Sequence, residues 1–75
     1  MEVKIGVQRT PREIVLESTQ SPDEVEAAVR DALKDPSGVL ALVDEKGRRV
    51  VVPSALIAYV EIADADHRRV GFAVS

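Results

Sequence analysis

Residues 21–34 are the one stretch of this chain whose apolar side chains recur at helical spacing, and that stretch limits what the rest can fold into. Val25, Ala28, Val29, Ala32 and Leu33 fall at i, i+3, i+4, i+7 and i+8 and make one stripe. Asp23, Glu24, Glu26, Arg30, Asp31 and Lys34 cover the remaining surface. The start is marked by Ser21 as N-cap, Pro22 at the first helical position and Glu24 at capping-box spacing. The end is marked by Lys34, which suits the negative end of the helix dipole, and by Pro36 and Gly38 beyond it. A helix with a single apolar stripe needs a wall to bury it against, and the flanking sequence reads as strands that supply one.

Ahead of the helix, residues 1–8 alternate, with Val3, Ile5 and Val7 on one face. Thr10-Pro11 breaks the pattern, and residues 13–17 resume it with Ile14 and Leu16 inward, which makes a hairpin. After the helix, Val39-Leu40-Ala41-Leu42-Val43 is a continuous apolar run, expected as a strand buried on both faces in the middle of the sheet. Asp44-Glu45-Lys46-Gly47 reads as a turn with Gly47 at a positive φ, and residues 48–52 return antiparallel until Pro53. Ser54-Ala55 forms a short corner. Residues 56–62 and 68–74 make a third hairpin around a polar tip at 64–67, with Ile57, Tyr59 and Glu61 expected on the face opposite Ala58, Val60 and Ile62. The order is β-β-α-β-β-β-β, an α+β domain spanning residues 1–75 in which one helix packs on one face of a mostly antiparallel sheet.

One helix is too narrow to cover so many strands. The uncovered face is expected to present Val15, Val51, Ile57 and Tyr59 among charges, an apolar area suited to another protein or to a second copy of the chain. A domain of 75 residues buries only roughly 60% of the surface it exposes when unfolded. No cysteine staples it, so pairing into a homodimer is an expected source of further burial, and a reducing cytoplasm is the expected compartment. The chain lacks an apolar run long enough to cross a bilayer and lacks the basic start and apolar stretch of a leader, so no membrane role is expected.

Thirteen acidic against ten basic side chains, a net charge of −3, argue against gripping nucleic acid by bulk electrostatics. Residues 1–37 carry eight acids and five bases and residues 38–75 five of each, so the surplus lies in the helical half. Arginines do occur near the turns: Arg9 and Arg12, Arg48 and Arg49, Arg68 and Arg69. If these pairs converge they offer a phosphate-binding edge with Tyr59 as a stacking ring, the alternative to a protein-binding module. Otherwise they are solvated charges that discourage edge-to-edge aggregation.

The whole chain resembles a family of small actinobacterial proteins, domain of unknown function 3107, through its opening Met1-Glu-Val-Lys-Ile-Gly-Val7 and the stretches Val43-Asp-Glu-Lys-Gly47, Val52-Pro53, Ile57-Ala-Tyr-Val-Glu-Ile62 and Arg69-Val-Gly-Phe72. That family has no established activity and no catalytic residues to carry over, though some members bear the label ATP-binding. A phosphate loop needs clustered glycines beside a lysine, whereas Gly6, Gly38, Gly47 and Gly71 stand singly, and Lys46-Gly47 reverses the Walker order within a turn. Residues 1–34 are also similar to the opening hairpin and helix of ubiquitin-like β-grasp domains. The sequence ends Ala73-Val74-Ser75 without paired glycines, so a covalent-modifier role is not expected.

Other chemistry finds few residues to work with. A metal site would draw on Asp64, Asp66 and His67, with Asp44 or Glu45 added, but a single histidine and no cysteine fall short of usual ligand sets, and a polar hairpin tip predicts the same residues. The serines lie where caps and turns need hydroxyls, with His67 the only imidazole, so nucleophilic catalysis is not expected. No cofactor is expected, and neither is an enzyme.

Overall fold

The computed structural model describes residues 1–63 in full and the backbone alone of residues 69–73. The capping signals produce helix α1, Pro22–Lys34, with Ser21 Oγ accepting from the Glu24 amide at 3.2 Å and Glu24 Oε1 accepting from the Ser21 amide at 3.2 Å. Val25, Val29 and Ala32 of the stripe are buried, and Ala28 and Leu33 are half-buried beside them. The exit is made by Asp35, which leaves the helix in an extended conformation while its carboxylate accepts from the Ser37 amide and hydroxyl.

Strands β1 (Glu2–Val7), β2 (Glu13–Glu17), β5 (Ile57–Ala63) and β6 (Arg69–Ala73) form one antiparallel sheet in the order β2-β1-β5-β6. The element order is as the patterning predicts, including the hairpin-then-helix opening of residues 1–34. Strands β3 (Val39–Val43) and β4 (Arg49–Pro53) instead form a separate two-stranded sheet. Among the described residues the backbones of the two sheets are joined by one bridge, Ser18 with Asp44, and by a bond from the Glu45 amide to the Glu17 carbonyl at 2.8 Å. A 3-10 turn, Ser54–Leu56, carries the chain from β4 into β5.

This arrangement corrects the expectation for β3. It does not run mid-sheet, and only one of its faces is buried: Leu40 and Leu42 turn inward, while Val39 and Val43 are 54% and 43% exposed. With Val52 of β4 they join α1 in covering Val3, Ile5, Leu16, Val60 and Ile62 of the larger sheet, so helix and hairpin share the task of closing one core. The remedy for a narrow helix is thus the β3–β4 hairpin, whose own outer face is then left without cover.

Ile57 is a second correction. It is fully buried rather than outward. The register explains the change: Gly6 pairs with Tyr59 but Val7 with Ile57, so Ala58 is an extra residue on β5. Such a bulge reverses which face the preceding residues present. Ile57 therefore joins Val60 and Ile62 in the core, and Tyr59 and Glu61 stay on the other side.

Candidate protein-docking surface

The β3–β4 outer face is built from the odd-numbered residues of both strands. Register places Val39 beside Pro53, Ala41 beside Val51 and Val43 beside Arg49, and all six are exposed. Val51 is 57% exposed, the most of any large aliphatic residue described. Arg49 is the only charged member, so the two strands present a nearly continuous apolar surface that their inner residues, already in the core, do nothing to satisfy. Of the four side chains that patterning nominates for a docking surface, Val51 lies here, Val15 lies on β2, Ile57 is internal and Tyr59 is otherwise engaged. Val39 and Val43 are missed by that reading, because an unbroken apolar run gives no sign of which side will be bare.

The outer face of the larger sheet has a different character. Val15 is 48% exposed there, but its neighbours are polar: Glu13 and Glu17 on the same strand, and Lys4 directly across β1. Tyr59 lies over Gly6, where a Cβ would overlap the ring, and its hydroxyl donates to the Glu13 carboxylate. That bond is the foremost cause of the Tyr59 hydroxyl's raised pKa; desolvation and the charges of Glu13 and Glu61 act in the same direction. Tyr59 is consequently half-buried and held, not free for stacking on a base.

The β3–β4 turn is tied by Asp44. Its carboxylate is 6% exposed and accepts from the amides of Lys46 at 2.9 Å and Arg48 at 2.7 Å and from Arg48 Nε at 2.8 Å. Desolvation by itself would raise the Asp44 pKa, yet the bonds from Arg48 and Lys46 together with the Arg48 charge outweigh it and hold the group below its usual value. Gly47 completes the turn at φ 81°, as the sequence requires. Between this turn and β2 lies an open groove of about 290 Å³, lined by Val15, Leu16 and Glu17 on one side and by turn residues from Asp44 to Arg48 on the other.

The arginine pairs do not assemble as a phosphate edge among the described residues. Arg48 is committed to Asp44. Arg9 and Arg12 sit at the far end of the β1–β2 hairpin from the Ser18 to Asp44 bridge, roughly 20 Å away along the strands. Arg68 lies outside the described residues, as do Asp64, Asp66 and His67 and the side chain of Arg69. Among the described residues no group of His, Cys, Asp and Glu is arranged to hold a metal ion, and no helix is long and apolar enough to cross a membrane.

Comparison with known proteins adds a family and no activity. No curated protein matches the chain. Residues 1–73 match the family model described as Protein of unknown function (DUF3107), and with nearly the whole length covered the chain belongs to that family.

Proposed function

We propose that this protein is a non-enzymatic interaction module that docks an apolar surface of another protein chain on the outer face of β3 and β4. The observation that supports this is the exposure of Val39, Val43 and Val51 on a hairpin whose opposite face is already consumed by the core. A second copy of the chain is the occupant that purified protein can test, since two such faces stack as sheet on sheet with only Arg49 at their margin. Six residues are few beside the 20–30 a side of a standard interface, so self-pairing is weak, and sedimentation must run from about 10 μM to about 1 mM. The sedimentation coefficient should rise over that range for the natural chain and stay monomeric for the Val43→Glu, Val51→Glu double variant. Identical monomeric profiles for both at all concentrations would remove the second copy as occupant.

Phosphate or nucleic-acid binding through Arg48, Arg49, Arg68 and Arg69 is the weaker reading, because Arg48 already serves Asp44. It requires a salt-sensitive response to a short oligonucleotide that falls when these arginines become alanine.

A further inference from the structure

The backbone of β4 offers a second kind of contact, at the edge of the strand instead of its outer face. The Asp44 amide bonds the Arg48 carbonyl at 2.8 Å and the Ser54 amide bonds the Gly38 carbonyl at 3.0 Å, one at each end of the β3–β4 ladder. Both belong to the register that sets Leu40 opposite Val52 and Leu42 opposite Val50. In an antiparallel pair the even-numbered residues therefore exchange the backbone bonds, and the odd-numbered ones point theirs outward. The bond from the Glu45 amide to the Glu17 carbonyl, on the far side of β3, agrees with this phase. On β4 the outward groups are the amides and carbonyls of Arg49 and Val51 and the carbonyl of Pro53. β4 is the last strand of its sheet, all three residues are exposed, and among the described residues no hydrogen bond reaches Arg49 or Val51 from that side.

An unpaired edge recruits another strand unless charge, proline or cover prevents it. Val50-Val51-Val52 is a run of strong strand formers, with Arg49 the only charge on β4 and Pro53 at its very end. The edge of β2 is protected by contrast: Glu45 holds its Glu17 end, and two-fold pairing about Val15 would set Glu13 opposite Glu17. Two-fold registers that keep the outward groups of two β4 strands facing one another can be centred on Val50, Val51 or Val52. Centred on Val52, the pairing sets Val51 opposite Pro53, which has no amide to return the bond. Centred on Val50, it brings the two Arg49 side chains to diagonal positions on one face, within reach of each other. Centred on Val51, it lets Val51 exchange both bonds with its counterpart and each Arg49 amide donate to the Pro53 carbonyl across. Val50 then stands opposite Val52, and the arginines lie at opposite ends.

We infer that a second copy of the chain adds to this one through β4, antiparallel and centred on Val51, to give the continuous sheet β3-β4-β4-β3. The two-fold axis runs through that sheet, so both outer faces lie on the same side. Six exposed residues from each copy then make a surface of twelve, nearer the roughly 20–30 of a standard interface. That enlargement of the docking face rests on the function proposed above; the pairing itself does not.

The test is a sample at about 1 mM in which half the copies are isotope-labelled, read for through-space cross-peaks between labelled and unlabelled copies. The expected peak joins the α-proton of Val50 to that of Val52 in the other copy, a non-hydrogen-bonded pair with Cα atoms about 4.5 Å apart. Val51→Pro should weaken association at least about tenfold, since proline is tolerated where the amide faces outward but removes the central donor. Val51→Thr keeps the amide and the branched Cβ and should weaken it by no more than about threefold. Val43→Glu should leave the peak in place, because position 43 lies on β3 beside Arg49, away from the edge, although a glutamate there spoils stacking of the outer faces. The spectrum of each variant checks its fold, and the peak itself needs no variant. Absence of the peak, a proline variant that associates as tightly as the natural chain, or a threonine variant as weak as the proline one would each overturn the inference. Association that is lost in Val43→Glu would overturn it as well and leave stacking of the outer faces standing.

Discussion

Tyr59 is the chain's single tyrosine, so its ionisation can be followed without interference. The neutral phenol is favoured in the folded chain, and the stability this supplies is complete below the ordinary tyrosine pKa of 10.0 and is lost as pH rises through the higher folded value. Absorbance titration should place the midpoint above 10.0 in the natural chain and bring it down in Glu13→Gln, which keeps the shape and removes the charge. Gly6→Ala should lower it as well, because the added methyl drives the ring off its site over β1, and the overpacking should cost roughly 1–3 kcal/mol. An unchanged midpoint in both variants would show that the ring is not held by Glu13. Asp44 has the opposite sign. Its pKa is depressed, so its contribution is present above the ordinary value of 3.8 and disappears as pH falls through the lower folded one. Thermal unfolding of Asp44→Asn should show lower stability at neutral pH and a flatter loss on acidification than the natural chain; parallel curves would contradict this.

At the scale of elements, β3 and β5 show what patterning can and cannot read. The helix is legible to the residue because stripe, cap and capping box agree, and Ser21→Ala should cost about 1 kcal/mol in chemical denaturation. The first hairpin is legible because Val3, Ile5 and Leu16 alternate with polar residues. β3 is legible as a strand but not in its burial, since Val-Leu-Ala-Leu-Val looks the same whether one face is covered or two. Ile57 is misplaced by strict alternation because the extra residue at Ala58 depends on how β5 meets β1, a pairing that local spacing does not encode. The corrected burial yields a sharp contrast within adjacent positions. Leu42→Ala should cost roughly 2–5 kcal/mol, whereas Val43→Ala should change stability by no more than about 0.5 kcal/mol. Equal losses at both positions would mean that β3 is buried on both sides after all.

For the molecule as a whole, the division into a four-stranded sheet and a separate hairpin is what creates a candidate contact surface. The helix and the β3–β4 hairpin together close the core, which leaves the hairpin's outer valines, three of the five exposed large aliphatic side chains among the described residues, grouped on one face. Of that surface only Val51 is visible in the sequence, where it stands out among charges; Val39 and Val43 emerge only once β3 is placed at the outside. The absence of cysteine makes a direct test available, because one introduced thiol is unique. Val51→Cys and, as a control on the exposed side of the helix, Ala27→Cys would each carry a photoactivated cross-linker, with illumination at a concentration near about 1 mM to favour a weak contact. If the β3–β4 face is where chains meet, the label at position 51 yields covalent dimers joined to residues of β3 or β4, and the label at position 27 yields few. Dimers formed equally from both positions, or none from position 51, would contradict it.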